Sequence, residues 1–340
     1  MHMSDALVSP AVGVSMLAVS GAALAYSVIK TKRDNVLENK TVPVMGVMSA
    51  FVFAAQMINF TIPGTGSSGH IGGGILLAAL LGAYPGMISI AAVLLIQCLF
   101  FADGGLLALG CNIFNMGVLA CLVTYPLIFK PILKRGITKP RLMLASVLSV
   151  VVGLQLGAFS VVLETLASGI TALPFTSFVL LMQPIHLAIG LVEGLATGAI
   201  LIFVHQARPE LLESVQGKQR LDHGVSVKKV VLGLLVAAIL VAGGLSIFAS
   251  ANPDGLEWSI GKVTGAEELQ ASGPAYAISE WIQGKTAIMP DYSTGAASEA
   301  VSTSGAGLIG GGIVLALAAG TAFVISRAKK KHHESEAVSK

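Results

Sequence analysis

All but two of the chain's 21 lysines and arginines fall in four stretches that separate long apolar runs. Lys30, Lys32, Arg33 and Lys40 occupy 30–42, and Lys130, Lys134, Arg135, Lys139 and Arg141 occupy 130–142. Arg208, Lys218, Arg220, Lys228 and Lys229 lie in 205–229; Arg327, Lys329, Lys330, Lys331 and Lys340 form the tail. Only Lys262 and Lys285 fall elsewhere. The runs near 9–29, 43–60, 105–129, 143–163, 178–204, 230–250 and 305–326 are each long enough to cross about 30 Å of hydrocarbon. Basic loops stay in the cytoplasm. That rule puts the N-terminus, the 61–70 loop, the Asp103 turn, the 164–177 loop and the 251–304 segment outside, and the C-terminus inside. A further apolar stretch, 71–101, is broken by Tyr84-Pro85-Gly86. As two short spans or as one re-entrant hairpin it returns the chain to the side it left. Counted as two, it makes the chain an all-α polytopic transmembrane helix bundle of about nine spans.

Composition agrees. The chain is 54% hydrophobic and 11% charged, against roughly 25% charged residues in soluble domains. Abundant glycine suits close helix packing in lipid. Cys98, Cys111 and Cys121 all lie in or beside apolar runs, which reads as buried, inert thiols rather than a disulfide framework. Residues 11–24 resemble the core of a secretion signal, and Ala23-Leu24-Ala25 resembles a cleavage site. However, Asp5 precedes the run and the basic cluster follows it, the charge order of a retained span with its N-terminus outside.

This topology brings the first residues, MHMSDA, to the same surface as QMINFTIPGTGSSGHIGGG, residues 56–74. A free amine followed by histidine is a ready chelator. The Met1 amine and the His2 amide nitrogen close a five-membered ring with an ion, and that amide and His2 Nδ1 close a six-membered one. The fourth corner calls for one more neutral nitrogen, which His70 can supply. Such a planar nitrogen set suits Ni(II) or Cu(II), and also Co(II), rather than Mg or Ca. The amine must lose its proton, so binding should weaken in acid. The bland alternative is that His2 is incidental and His70 a capping loop residue.

The same residues carry a family resemblance. MHM, QMINFTIPGTGSSGHIGGG, LLIQCLFFADGGLLALGCNIFNMG (94–117) and HLAIGLVEGLATG (186–198) resemble the nickel/cobalt substrate-binding components of energy-coupling-factor ABC importers, the NikM/CbiM type. Beyond 205, a span, NPDGLEWS (252–259), a long outer segment and a last span resemble the two-span companion NikN, here fused. The resemblance implies a metal-binding membrane domain at 1–205, a cytoplasmic linker at 206–229, a NikN-like domain at 230–326 and a basic tail at 327–340. It implies capture of Ni²⁺ or Co²⁺ by Met1, His2 and His70 in a prokaryotic cell membrane. Its partners would be a transmembrane coupling protein and cytoplasmic ATPase subunits, with no nucleic acid among them. Cobalt uptake for cobalamin synthesis is the alternative cargo, and an ion-coupled secondary transporter the alternative class. Where the family often has an acid near position 5 in MHIMEG, this chain has Ser4 and Asp5, which leaves that acid's role open.

No Walker A pattern is present; the nearest fragment, SEWIQGKT (279–286), lacks the leading glycine and lies outside. No H-E-x-x-H motif is present either, so the reading is a transport subunit and not an enzyme. Gln56, Asn59, Gln97, Asn112 and Asn115 are costly in lipid unless paired. They read either as interhelical hydrogen-bonding groups or as groups orienting His2 and His70. Ser67, Ser68 and Asp103 are candidates for the same orienting role. His186 and Glu193, seven residues apart on one helix face, are candidates for contact with a partner or for ion transit. The 251–304 segment, with seven acids against two lysines and both tryptophans, reads as a solvated loop or as a lid that concentrates cations.

Overall fold

The computed structural model describes residues 1–33, 41–209, 211–212, 227–293 and 299–338. Most of the expected 206–229 linker, with Lys40 of the first basic loop, lies outside the described residues. The chain is all-α and polytopic, apart from one two-stranded hairpin. Among the described residues, six helices are long and apolar enough to cross a membrane. These are α1 (Pro10–Arg33), α4 (Ala83–Phe101), α5 (Leu109–Leu133), α6 (Lys139–Ser168), α7 (Phe175–Ala207) and the Val301–Arg327 part of α11 (Glu299–Val338). Two shorter apolar helices are α2 (Thr41–Gln56) and α8 (Val227–Gly243). α11 continues into the basic tail as far as Val338.

The 71–101 stretch, expected as two short spans or a re-entrant hairpin, forms two helices of unequal length. α3 (Gly74–Leu81) has eight residues, about 12 Å of helix, too short to cross. It packs back on α4 across Gly82, whose φ is 95°. A Cβ at Gly86 would stand 2.9 Å from the Ala78 backbone, so glycine allows the two arms to cross closely. All eight residues of α3 are buried. Burial also separates the centre from the rim: 78% of α4's apolar window is buried, but 17% of α1's. An interior helix needs no polar face, which is why this region reads as unbroken apolar sequence.

One end of the bundle gathers the segments assigned to the outside. Residues 1–8, including a short 3₁₀ turn at Asp5–Leu7, lie against the 102–108 turn. Gly105 N–H donates to Met3 O at 2.9 Å and Ala108 N–H donates to Asp5 Oδ1 at 3.0 Å. The second outer loop forms the hairpin β1 (Phe60–Ile62) and β2 (Ser67–Gly69), with Thr61 opposite Ser68. Within 251–293, the described part of the next outer segment, the chain forms α9 (Gly255–Thr264), α10 (Pro274–Thr286) and a 3₁₀ turn at Pro290–Tyr292. That part is tied across the same end: Gln283 Nε2 donates to Cys98 O (3.0 Å) and Gly104 O (2.9 Å), and Ile288 N–H to Phe100 O (3.0 Å). The three cysteines are buried and free.

Candidate metal-capture site

The first three residues are threaded into the protein rather than left in solvent. Met1 is 8% exposed and Met3 fully buried. Asn112 grips Met3 from both sides: its Oδ1 accepts from Met3 N–H at 2.7 Å, and its Nδ2 donates to Met3 O at 3.1 Å. This side-chain clamp supplies the backbone partners that a strand would otherwise provide. Asn115 lies beside it, with Nδ2 3.8 Å from Met3 Sδ and donating to Glu164 Oε2 at 2.8 Å. Tyr276 from α10 donates to Val8 O at 3.2 Å.

With Met3 fixed, His2 and His70 are brought together. Their rings stack at a centroid separation of 5.2 Å and an angle of 22°. His2 Nε2 lies 3.2 Å from Gln97 Oε1, and His2 Nδ1 lies 3.4 Å from Asp103 Oδ1. His70 Nδ1 donates to Ile71 O at 3.3 Å, which leaves Nε2 as a bare lone pair, buried and without a partner. Burial, then the neighbouring terminal ammonium, push the His70 imidazole down to about 3. Burial likewise lowers His2, against the pull of Asp103. Both rings are therefore neutral nitrogen donors at ordinary pH.

The terminal ammonium itself donates to Asp254 Oδ2. Burial alone would raise the Asp254 carboxyl, but that ammonium, as charge and hydrogen-bond donor, holds it well below the usual carboxylate range. Asp254 also starts α9: its Oδ1 accepts from Leu256 N–H (2.7 Å) and Glu257 N–H (3.0 Å), while Glu257 Oε2 accepts from Asp254 N–H (2.9 Å). This capping box aims one carboxylate oxygen at residue 1. In the sequence Asp254 stands only as one of seven acids in the 251–304 segment, and no local pattern points from it to residue 1. Glu164 was missed as well, because it falls at the edge of an apolar run.

The other candidates take these places. Ser67 and Ser68 touch neither imidazole. Ser68 N–H donates to Pro253 O at 2.7 Å and Ser68 Oγ to Asn252 O at 2.7 Å, so the hairpin holds the residues that lead into Asp254. Gln56 Nε2 donates to Gly72 O at 2.7 Å, bracing the backbone after His70. Asn59 contributes its carbonyl to Ser250 N–H at 2.7 Å. Glu193 Oε1 accepts from Gly73 N–H at 3.0 Å; Gly73 has φ 77°, a backbone that glycine adopts without strain. His186 is buried, with Nδ1 2.8 Å from Met182 O.

Above the imidazoles lies a vestibule of about 1080 Å³. Asp5, Asp103, Asp254, Glu257, Glu267, Glu268, Glu280 and Asp291 line it, and among the described residues no lysine or arginine does. Burial, then the charge of Asp254, push Glu257 up to about 7. Such a wall raises the local concentration of cations. Among the described residues, no three His, Cys, Asp or Glu side chains converge closely enough to hold an ion by themselves. A tight site at this end therefore needs backbone nitrogen or the terminal amine.

Comparison with known proteins bears on this geometry. Residues 2–211 match the CbiM family, described as the cobalt uptake substrate-specific transmembrane region, and residues 228–327 match the PDGLE domain. A putative fused nickel transport protein NikMN of Archaeoglobus fulgidus is 30% identical over 93% of this chain and 96% of its own length. A cobalt transport protein CbiM of Geobacter sulfurreducens is 27% identical over 72% of each. A truncated transition metal transporter of known crystal structure superposes with a TM-score of 0.54 at 31% identity, over 61% of this chain and 99% of that one. With Met3 clamped, two neutral imidazoles stacked at the outer end, and the match running from residue 2 to 211, this multi-pass membrane protein belongs to the CbiM family, carrying a PDGLE domain behind it.

Proposed function

We propose that this chain captures Ni²⁺ or Co²⁺ at its outer end as the substrate-specific subunit of an energy-coupling-factor importer. Separate ATPase subunits would energise it through a transmembrane coupling protein, in keeping with the absence of a Walker A pattern from the sequence. The carrying observation is the meeting of the Met1 amine, His2 and the unpartnered His70 Nε2 in one buried place. Turning the His2 ring from Asp103 toward its own amide, freeing the amine from Asp254, and loss of one proton each from the ammonium and the His2 amide to solvent would close the five- and six-membered rings. His70 Nε2 would then be the fourth in-plane nitrogen. The similarity to fused nickel transport proteins favours nickel as the cargo. The division into a capture domain at 1–205 and a two-span domain at 230–326 belongs to the same reading.

One residue placed ahead of Met1 removes the amine from the chelate and, with it, the ion pair to Asp254. Equilibrium titration with Ni²⁺ should show tight binding by the unaltered protein and loss of more than about 100-fold in the extended one, with a thermal midpoint lowered no further than in Asp254→Asn. Equal affinity in the two would reject the reading. In vesicles holding the full complex, inactivating the ATPase partners should stop uptake. Persistent uptake would favour the ion-coupled alternative, which Glu193 motivates.

A further inference from the structure

Beneath His70, between α5, α6 and α7, lies a cavity with about 40 Å³ of room, enough for two or three waters. Asp254 and Gly255 contribute to its lining from the PDGLE domain, together with Met1. Five of its lining residues carry buried polar atoms with no hydrogen-bond partner: His70 Nε2, Asn115 Oδ1, Ser149 Oγ, His186 Nε2 and Glu193 Oε2. Unpartnered buried polar atoms are costly, so five on one cavity call for an occupant.

The hydrogen bonds on the far side of each group fix what that occupant must be. Met182 O can only accept, so His186 Nδ1 carries the hydrogen and Nε2 is a lone pair. Ile71 O does the same for His70. Asn115 donates its amide hydrogens toward Glu164, leaving Oδ1 as an acceptor. Glu193 commits Oε1 to Gly73 N–H and leaves Oε2 free. Four of the five groups are thus acceptors, and Ser149 is the one hydroxyl among them. An anion would find a single donor here, the Ser149 hydroxyl. A divalent transition ion fits, since imidazole nitrogens and a carboxylate are its ligands and the hydrogens of its retained waters point outward at the remaining acceptors.

We propose that this cavity is a second, weaker station for the divalent ion, reached after the outer chelate and held by His186 Nε2 and Glu193 Oε2. The proposal rests on the capture reading and extends it inward. His70 lines both places, so the residue that closes the outer set also borders the inner one. α7 runs inward from Phe175 to Ala207, and the seven residues from His186 to Glu193 span about 10 Å along it. The station is loose, because these groups do not close a coordination shell without water. A passage needs that weakness, because an ion must leave as readily as it enters.

The test uses the purified full chain with its outer site first filled with one equivalent of Ni²⁺, then titrated with Co²⁺ alone. The visible spectrum should report a second equivalent, bound at least tenfold more weakly, with imidazole nitrogen as a ligand in X-ray absorption. His186→Leu should abolish that equivalent, and Glu193→Gln should weaken it by more than about tenfold. Both should keep Ni²⁺ affinity within about threefold, while ATP-driven uptake by the complete importer falls by more than about tenfold. If His186→Leu fails to fold, Glu193→Gln and His186→Gln decide the matter. A single equivalent in every protein, or unchanged uptake in both variants, overturns the station. Loss of the first, tight equivalent from the unaltered protein would instead sink the capture reading.

Discussion

The two parts of the chain meet at the outer pocket with opposite chemistry. Residues 1–112 bring all the nitrogen, from the Met1 amine, the His2 amide and ring, and His70, with Asp5 and Asp103 beside it. Residues 252–292 bring mainly carboxylates and the helices that carry them. Oxygen sets favour Mg²⁺ and Ca²⁺, whereas planar nitrogen sets favour late transition ions. A pocket that ligated with both would discriminate poorly between them. In the proposed reading the carboxylates gather cations and hold the amine, while the nitrogens select the ion. Selection would then lie in the first stretch of sequence and attraction mainly in the second, and Asp254 is where the second stretch touches the amine.

The largest expected effect comes from exchanging one group on each side of that contact. His70→Ala should cost more than about 100-fold in Ni²⁺ affinity, since removing even a group behind a metal ligand costs about 10–100-fold. Asp254→Asn should change affinity by less than about tenfold, because it is proposed to release the amine rather than to ligate. Asparagine also keeps the helix cap, so the substitution isolates the charge. The lost ion pair should destabilise the outer end by about 3 kcal/mol, read as a lower thermal midpoint in detergent. If Asp254→Asn loses as much affinity as His70→Ala, the carboxylate is a ligand and the division fails.

The contrast also marks what the sequence could show. The alternation of Lys and Arg between loops was enough to bring residues 1–8, 61–70, 103 and 251–304 to one end, because charge placement obeys the membrane rather than the fold. The short α3 was not legible as such. A helix buried on every side has no polar face to mark where it stops, and only Gly73 and Gly82 bracket it. Asn112 and Asn115 stood out as polar groups in apolar runs, but their partner is the Met3 backbone and Glu164. That pairing exists only once the chain terminus is folded inward. Asp254 lies 253 residues from the amine it meets, and no local pattern joins the two. Ser67 and Ser68 were legible by nearness to His70, yet they face the other strand of the story and hold Asn252 and Pro253.

A smaller effect should follow from the vestibule charges. Glu267, Glu268 and Glu280 line the wall away from the imidazoles, so changing all three to Gln alters steering without altering the ligands. Stopped-flow association of Ni²⁺ should slow by about tenfold at low ionic strength, and the difference should vanish at high salt as the Debye length shortens. The dissociation rate should stay as it is. A change in dissociation instead would mean that these acids reach the ion, and the lid would count as part of the binding set.

The smallest effect tests how finely the acidic side tunes the nitrogen side. Tyr292 stacks on Phe101 at 4.8 Å and 18°, and its hydroxyl donates to Asp103 Oδ2 at 2.5 Å. Asp103 Oδ1 in turn faces His2 Nδ1 at 3.4 Å, the nitrogen the chelate needs. The hydroxyl draws off part of the Asp103 charge. In Tyr292→Phe the ring stacking remains, but that charge turns wholly toward His2, whose imidazole burial now keeps low. The His2 pKa should therefore rise, and as pH is lowered a proton should compete with the metal sooner than in the unaltered protein. Ni²⁺ affinity should match the unaltered protein at pH 8 and fall behind it by up to a few-fold in acid, in line with about 1 kcal/mol for one hydrogen bond. A loss of equal size at pH 8 and in acid would show that Tyr292 acts through packing alone, and that Asp103 does not speak to His2 through charge.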